Sequence, residues 1–335
     1  MRKIAQLAAE QRRDLFRNTS VKMGVNEVIV EKDFWVCWTL DYLFRQSIWK
    51  SNIVFKGGTS LSKCYGLIQR FSEDIDLILD WCLLGYAIQE PWESRTITQQ
   101  GKFFKQMNQK TAKYLKGTFI PTLKSDFSNE LSEDFDLYID PYDLQTICFD
   151  YPKCFDYGNF SNVIRLEIGT LSAWSPIEVQ TILPYAAKEY PKVFESLTTN
   201  VLTVSAERTF WEKVTILHKE AFRLNDKFPL RYSRHYYDLY RMLNSPIKDK
   251  ALSDLNLLKK VVAFKSRFYR SLSARYDLAK VGSFKLIPPK DCITFLSKDY
   301  QQMEDMIFGE KPKFEEILDC IQSFENQLNA LKSYS

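Results

Sequence analysis

The sequence is poor in the residues that make turns. Among its 335 residues there are only 11 glycines and 12 prolines, well below their usual share of a globular chain. This shortage favours long helices and disfavours a turn-rich β-sandwich or β-barrel. Hydrophobic residues make up 45% of the chain and charged residues 26%, which excludes a disordered or fibrous protein and predicts a packed core.

Histidine is also scarce, because the chain contains only His218 and His235. Zinc hydrolases and His-dependent nucleases usually need several histidines, so most of these classes are disfavoured. The seven cysteines are odd in number and form no CxxC pair, so neither a disulfide framework nor a zinc site is predicted. The 46 Lys and Arg against 42 Asp and Glu give a net charge of +4, which excludes a histone-like polycation.

Long apolar segments are lacking too. The longest uninterrupted apolar stretch, residues 81–88, is far too short to span a bilayer. Charges at positions 2, 3, 10, 12 and 13 leave no room for the apolar core of a signal peptide. We therefore expect a soluble, cytoplasmic protein with no membrane association.

Changes in hydrophobic period divide the chain into three regions. Residues 1–50 predict helices that pack on the domain after them, residues 51–190 predict a mixed-sheet domain, and residues 200–335 are helical almost throughout. The expected fold class is therefore α+β, with a boundary between about residues 185 and 204.

Short β-branched segments predict the strands of the central region. A polar helical segment at about 98–116 interrupts them. The last two strands flank a short turn-like stretch and are predicted to form a hairpin. The predicted strands lie at residues 51–58, 74–80, 135–140, 146–151, 162–169 and 177–183.

The most informative segment is VFKGGTSLSKCYGLIQRFSEDIDLIL at 54–79. Its first strand ends at Gly57 and Gly58, and its second strand opens with Asp74 and Asp76. Alternate residues of a strand point to the same face, so both carboxylates leave the sheet together. Two anions so placed repel one another unless a cation lies between them. Oxygen ligands of this type suit Mg²⁺ or Mn²⁺, with water and substrate phosphates in the remaining positions.

The same segment contains donors for a polyphosphate. The glycine pair allows close approach of the backbone, and hydroxyl and cationic side chains can bind phosphate oxygens. A glycine pair or an acid pair alone is common in turns and at solvated strand edges, but the combination indicates a nucleotide site. The candidate donors are Thr59, Ser60, Lys63 and Arg70.

Five sequence blocks occur in a characteristic order. They are EKDFW at 31–35, FKGGTSL at 55–61, RFSEDIDL at 70–77, SAERTFWEKVTILH at 205–218 and RHYYDLYRM at 234–242. Together they resemble the AbiEii/AbiGii-type toxins, a family that belongs, with the MenT toxins, to the DNA polymerase β-like nucleotidyltransferase superfamily. The resemblance implies transfer of a nucleoside monophosphate from an NTP to an acceptor, by a toxin of a bacterial toxin–antitoxin or abortive-infection system.

The resemblance also implies roles for individual residues. Asp74 and Asp76 would hold the divalent ions, while Gly57, Gly58 and Ser60 would receive the triphosphate. Fifteen residues separate Gly58 from Asp74, slightly more than is usual in the superfamily, which leaves open whether Thr59 or Ser60 meets the phosphates.

Two further positions come from the later blocks. Lys213 would be the essential lysine and Asp238 the acid of the last block, and we expect the Lys213 amine to share a pocket with the aspartate pair. Lys213 lies on the flank of an apolar helical stripe, where it could also extend harmlessly to solvent. Asp238 could instead form a surface pair with Arg234 and Arg241.

A third metal-binding acid is usual in the superfamily, and Glu167 is the best candidate. It shares a strand face with Arg165, so a salt bridge between these two residues is an alternative, and Glu178 on the next strand competes for the role. The resemblance also marks Lys32 and Asp33, which the pattern alone would place on the polar face of an amphipathic helix. They rank as secondary candidates, and the two histidines receive no role.

The acceptor implied by the resemblance is RNA, such as tRNA. Basic residues interleaved with aromatic ones in the C-terminal region could bind phosphates and stack on bases, although an ordinary helix with a solvated cationic face has the same pattern. These residues are Lys259, Lys260, Lys265, Arg267, Arg270 and Arg275, with Phe264, Phe268 and Tyr269 between them.

The resemblance further implies a genetically linked AbiEi-type antitoxin, and direct binding of that partner is left open. Two other functions compete with transfer. One is a catalytically silent nucleotide- or RNA-binding regulator with the same fold. The other is a metal-dependent ribonuclease that uses the same acids without an NTP.

Overall fold

The structure, a computed structural model, describes residues 1–156, 163–170, 175–223 and 228–331. These residues form two compact units. Unit 1 contains Met1–Cys64 and Ser72–Thr203, and unit 2 contains Tyr65–Phe71 and the chain from Val204 onwards.

Unit 1 is built on a mixed β-sheet, which confirms the α+β class. Its strands are Ile53–Lys56 (β1), Ile75–Leu79 (β2), Asp136–Ile139 (β3), Thr146–Asp150 (β4), Ile164–Gly169 (β5), Ile177–Ile182 (β6) and Thr199–Val204 (β7). The seven strands lie in the order β3-β4-β5-β2-β1-β7-β6. β2 pairs antiparallel with β1 and parallel with β5.

The sheet corrects the sequence prediction at two points. β5 and β6 do not form the predicted hairpin, because β2, β1 and β7 lie between them. The two strands differ in burial: β5 buries alternate residues as a central strand, whereas most of β6 is exposed at the edge of the sheet. β7 was not predicted, because its residues fall within the expected domain boundary. Asn162, at the start of the predicted fifth strand, lies outside the described residues.

The helices of unit 1 pack on this sheet. Helix α3 is buried along almost its whole length, and its Trp38 ring contacts Phe127 and Phe149, at centroid distances of 4.7 and 6.0 Å. The Asn26 side chain caps α3 by accepting a hydrogen bond from the backbone N–H of Val28. The helices are Arg2–Ala5 (α1), Ala9–Met23 (α2), Glu27–Asp41 (α3), Gly57–Lys63 (α4), Ile97–Tyr114 (α5), Ile120–Glu130 (α6) and Tyr185–Glu189 (α7).

Unit 2 is helical, as its periodicity predicts. The Ser205 side chain caps the first of its helices, whose residues Phe210, Val214 and Leu217 are fully buried. The helices are Ala206–Glu220 (α8), Arg234–Leu243 (α9), Ile247–Ser253 (α10), Leu255–Phe268 (α11), Lys290–Met303 (α12) and Phe314–Ala330 (α13).

Tyr65–Phe71 belongs to unit 2 although it lies within the predicted central domain. Arg70 pairs with Ile307 in an antiparallel bridge, and the backbone N–H of Phe71 donates to the carbonyl of Met306 at 2.7 Å. These backbone bonds join the segment to the chain that follows α12, a long-range pairing that hydrophobic periodicity does not report. Across the described ranges, no helix combines the length and apolarity that crossing a membrane requires.

Candidate functional site

Asp76 lies on β2 between two cross-strand neighbours. Its register partners are Lys56 on β1 and Glu167 on β5. Directly opposed residues of paired strands point to the same face, and neighbouring strands lie about 4.8 Å apart. The carboxylates of Asp76 and Glu167 therefore leave the sheet side by side, while Leu77 and Leu166 are buried on the other face.

Glu167 is not the main partner of Arg165, its neighbour on the same strand face. Nε of Arg165 lies 3.9 Å from Oε1 of Glu167, but Nη1 of Arg165 is closer to Asp140, at 2.5 Å. The Glu167 side chain is 44% exposed. Glu178 lies on β6, which β1 and β7 separate from β2, so Glu178 is not a cross-strand neighbour of Asp76. The sheet order thus favours Glu167 as the companion of Asp76, and its role as a metal ligand stays a prediction.

Gly57 shows why a glycine follows β1. Its φ is +83°, in the region that side chains rarely adopt. A Cβ atom at this position would lie 1.9 Å from Oδ2 of Asp76. Gly57 therefore allows both the backbone turn and the placement of the Asp76 carboxylate. The stretch from Gly57 onwards, predicted as a polar turn, is the helix α4.

The hydroxyls of Thr59 and Ser60 both bind backbone oxygens. Thr59 donates to the carbonyl of Asp74 at 2.5 Å, and Ser60 donates to the carbonyl of Gly57 at 2.9 Å. Both residues are buried, so their hydroxyls stabilise the two segments that carry the glycines and the acids. β2 begins at Ile75, one residue later than predicted, which places Asp74 just before the strand. A phosphate contact by either hydroxyl stays a prediction.

Lys63, a predicted phosphate donor, has a partner within unit 1. Its Nζ donates to Oδ1 of Asp33 at 2.6 Å and lies 4.2 Å from the centre of the Tyr185 ring. Burial alone would lower the pKa of Lys63, but the neighbouring Asp33 carboxylate raises this pKa above its ordinary value. The amine is therefore charged and held in place, and its contact with a nucleotide stays a prediction.

Unit 2 contains a second cluster, centred on Asp238 of α9. Nε and Nη2 of Arg70 donate to its two carboxylate oxygens at 2.7 and 2.9 Å, and Nζ of Lys213 donates at 2.7 Å. Burial alone would raise the pKa of Asp238, but these two cations hold this pKa below its ordinary value. Asp238 is fully buried, so the alternative of a surface pair with Arg234 and Arg241 is wrong.

Lys213 has a further neighbour that sequence reasoning missed. Its Nζ lies 3.1 Å from Nδ1 of His235. Burial, together with the charges of Lys213 and Arg234, lowers the pKa of His235 well below its ordinary value. The imidazole is therefore neutral, and Nδ1 can accept a hydrogen bond from the Lys213 ammonium. The spacing of His235 and Asp238, three residues apart on α9, was the available signal.

Both histidines make stability depend on pH. Burial also lowers the pKa of His218, whose Nδ1 accepts from the backbone N–H of Lys285 at 3.2 Å. Unfolded histidine takes up a proton near pH 6.5, whereas the folded chain keeps both rings neutral to lower pH. The unfolded state then binds more protons, so the free energy of unfolding is expected to fall as pH decreases below about 6.5. The slope approaches about 1.4 kcal/mol per pH unit for each histidine.

This pH dependence can be measured by urea unfolding between pH 7.5 and 5.5. A variant with both His218→Asn and His235→Asn should show a flatter profile over this interval, whatever its absolute stability. An equally steep profile in that variant would assign the effect to other groups.

The basic segment of unit 2 differs from the predicted nucleic-acid surface. Phe264 and Phe268 are buried, so the prediction that they stack on exposed bases is wrong, because both rings pack into the unit. Tyr269 is 46% exposed, and Lys259 and Lys260 are exposed. The exposed part of this segment is therefore smaller than predicted and consists of cations and one aromatic ring.

The donor chemistry of unit 1 fits a divalent ion bound together with a substrate. Among the residues that the structure describes, no three His, Cys, Asp or Glu side chains form a ready-made metal group. Mg²⁺ that acts on nucleotides is typically held by one or two carboxylates, with water and phosphate oxygens as its other ligands. Asp76, Glu167 and the preceding Asp74 supply carboxylates of this kind.

Comparison with known proteins places the chain in a family. It is similar to MenT4, a nucleotidyltransferase toxin from Mycobacterium tuberculosis H37Rv, with 15% identity and a TM-score of 0.43 over 98% of this chain and 100% of that chain. It is also similar to JHP933 from Helicobacter pylori, with 14% identity and a TM-score of 0.36 over 91% of this chain and 98% of that chain. No curated protein matched the sequence. The family model described as "Nucleotidyl transferase AbiEii toxin, Type IV TA system" matches residues 40–320, which confirms the resemblance: the chain belongs to the AbiEii family of nucleotidyltransferase toxins of type IV toxin–antitoxin systems.

Proposed function

We propose that this protein transfers a nucleoside monophosphate from an NTP to an RNA acceptor, such as tRNA, and releases pyrophosphate. The geometry around Asp76 is the observation that best supports this proposal. Asp76 and Glu167 are register partners on neighbouring strands, and the Asp76 carboxylate lies against Gly57, where no Cβ would fit. This geometry combines acidic ligands with a backbone that a phosphate can approach closely.

Asp74, Asp76 and Glu167 are the residues that would hold Mg²⁺ or Mn²⁺. When bound, such ions supply positive charge to the phosphoryl group and to the attacking and leaving oxygens. The protein's part is to hold these carboxylates in place and to admit the triphosphate beside Gly57 and Gly58. Little covalent chemistry is then required of the side chains, which agrees with the scarcity of histidine.

Lys213 and Asp238 complete the proposal. Lys213 supplies positive charge to the triphosphate, as the resemblance implies, and Asp238 is a positioning residue because it accepts hydrogen bonds from both Lys213 and Arg70. Lys63 and Arg70, the other predicted phosphate donors, are held in buried ion pairs. We propose that these pairs position the segments on which the two cations lie.

We also propose an RNA acceptor and an antitoxin partner, and membership of a toxin–antitoxin family supports the partner. Lys259, Lys260 and Tyr269 offer exposed cations and a ring to an RNA strand. The protein acts in the cytoplasm, where NTP and RNA are available, and an AbiEi-type antitoxin counteracts it. Growth inhibition on expression of the toxin alone, relieved by the antitoxin, is the corresponding cellular result.

A single assay distinguishes transfer from its alternatives. Purified protein is incubated with each labelled NTP in turn, Mg²⁺ and total RNA. Label on RNA is the expected result. Shortened RNA without NTP would instead identify a metal-dependent ribonuclease, and neither label nor cleavage would identify a silent nucleotide- or RNA-binding regulator.

Gly57→Ala is expected to reduce transfer by about 10²-fold, because a 1 Å displacement at a reacting site has an effect of this size. The new Cβ would overlap Oδ2 of Asp76, at 1.9 Å, and would force that carboxylate to move. The measurement is the rate of label transfer, together with the thermal midpoint of unfolding.

Gly85→Ala is the matched control for this substitution. Gly85 has nearly the same φ, +81°, but no atom lies within 4 Å of the Cβ position. Both variants carry a similar backbone strain, so any further loss of stability or activity in Gly57→Ala reports the overlap with Asp76. Equal activity in the two variants would show that displacement of Asp76 is not important.

A further inference from the structure

Three consecutive charged residues of α3 are buried inside unit 1. Glu31, Lys32 and Asp33 are at most 4% exposed, although the sequence pattern places Lys32 and Asp33 on a polar helix face. Each has a different partner. Oε1 of Glu31 accepts from the backbone N–H of Cys154 at 2.6 Å, while Lys32 and Asp33 contact the two segments of the candidate site.

The first of these contacts is between Lys32 and Glu73. Nζ of Lys32 donates to Oε2 of Glu73, and the two side chains are 0% and 12% exposed. Glu73 directly precedes Asp74 in the chain. The ion pair therefore joins α3 to the short stretch that leads into the acidic strand β2.

The second contact is between Asp33 and Lys63, at the last residue of α4. The Asp33 carboxylate also accepts from the backbone N–H of Tyr185 at 2.7 Å. Neighbouring residues of one helix thus hold both segments of the site, the one that begins with Gly57 and the one that contains Asp74.

A buried ion pair is a poor means of stabilising a fold. Removing two charges from water costs several kcal/mol, and apolar residues of similar volume often stabilise as well or better. What such a pair does supply is a defined geometry, because its hydrogen bonds fix both side chains. A role in positioning accounts better for a buried pair beside a metal-binding carboxylate than a role in stability does.

We propose that Lys32 and Glu73 are positioning residues for the divalent-metal site of this enzyme. Lys32 holds Glu73, and Glu73 fixes the backbone from which the carboxylates of Asp74 and Asp76 extend. This inference rests on the proposed function, because it assumes that those carboxylates bind a divalent ion.

The test is the affinity of the full-length protein for Mn²⁺, measured by electron paramagnetic resonance without NTP or RNA. The variant carries Lys32→Met and Glu73→Gln together. It removes one positive and one negative charge, so the net charge near the site is unchanged and no unpaired charge is left buried. We expect the Kd for Mn²⁺ to rise about tenfold, the effect typical of losing a residue that orients a metal ligand. Raising the Mn²⁺ concentration should restore part of the transfer activity.

The matched control removes another ion pair of unit 1, in which the cation is buried and the carboxylate is 34% exposed. Arg12 donates to both carboxylate oxygens of Glu133, at 3.0 and 2.9 Å, and is itself 0% exposed. Arg12→Met combined with Glu133→Gln should leave the Kd for Mn²⁺ unchanged, even if the thermal midpoint falls. A purely structural role for Lys32 and Glu73 would give the same result in both double variants.

The possible outcomes separate this inference from the proposed function. If the wild-type protein binds Mn²⁺ and the Lys32→Met/Glu73→Gln variant binds it equally well, the positioning role is overturned. If the wild-type protein binds no Mn²⁺ either alone or together with a non-hydrolysable NTP analogue, the proposed metal site fails, and this inference fails with it. Should the double variant not fold, Glu73→Asp keeps the charge and shortens the side chain by one methylene. A Kd unchanged in that folded variant would also overturn the role.

Discussion

Asp76→Asn is expected to abolish nucleotidyl transfer, with kcat lowered by about 10³-fold or more. Asparagine has nearly the same shape as aspartate but carries no negative charge. Asp76 lies between Lys56 and Glu167 in the sheet and against Gly57, so the substitution removes the central carboxylate of the proposed metal site. The rate of label transfer from NTP to RNA measures the effect.

The fold should tolerate this substitution. The substitution removes the repulsion between the carboxylates of Asp76 and Glu167, and it also removes the attraction between Asp76 and Lys56, its register partner on β1. Because these two effects oppose one another, the thermal midpoint of Asp76→Asn is expected to stay close to that of the wild type when no metal is present. An inactive variant with a lower midpoint would indicate a structural defect instead.

Glu178→Gln is the matched control on the same sheet. Glu178 is exposed on the edge strand β6, which β1 and β7 separate from β2. This variant should keep a rate within about twofold of the wild type, as surface substitutions away from a site usually do. Wild-type transfer by Asp76→Asn, or equal loss in both variants, would contradict the proposed role of Asp76.

Asp238→Asn is expected to have the largest effect on stability, lowering the free energy of unfolding by about 3–5 kcal/mol. Asp238 is fully buried and binds the side chains of Arg70 and Lys213. An amide in its place has no negative charge, so two cations remain in a buried site without their counter-ion. Urea unfolding followed by tryptophan fluorescence measures the change.

Asp277→Asn provides the control for this prediction. Asp277 accepts from Nε and Nη2 of Arg275 at 3.1 and 3.0 Å, the same bidentate geometry as in the Arg70–Asp238 pair, but both residues are exposed. Solvent and salt screen such a pair, so this variant should unfold close to the wild type. If Asp238→Asn were equally mild, the buried network would not be a determinant of stability.

Lys213→Met distinguishes the two roles of the network. The substitution leaves the Arg70–Asp238 pair in place, so much of the stability should remain. The rate of transfer should fall far more than stability does, because the cation proposed to act on the triphosphate is lost. A variant that loses stability but transfers label normally would show that Lys213 is structural.

Much of the fold could be predicted from the sequence. Six of the seven strands and the main helices follow from periodicity and from turn residues, because these patterns report which face of each element is buried. The order of the strands could not be predicted, since periodicity does not tell which neighbour a strand pairs with. The predicted hairpin of β5 and β6 is wrong for this reason: proximity in the chain was taken as proximity in the sheet.

The candidate site shows the same division. Local spacing alone identified Gly57 and the aspartate pair, because close backbone approach and paired carboxylates need these residue types near one another in the chain. The buried partners of Lys32 and Lys63 could not be predicted. A charged residue on a helix is read as solvated until the partner that makes its burial possible is known.

What the sequence by itself determined is the chemistry available to this protein: the family, the glycine and acid segment of residues 54–79, and the lysine and aspartate of the later blocks. Only the tertiary structure decided which of these groups meet. It placed Glu167 beside Asp76 through the parallel pairing of β2 and β5, and it joined Arg70 to Asp238 across 168 positions of the chain. The reason is physical: residue type and local period set what a side chain can bind, whereas long-range pairing and burial select its partner and fix its charge.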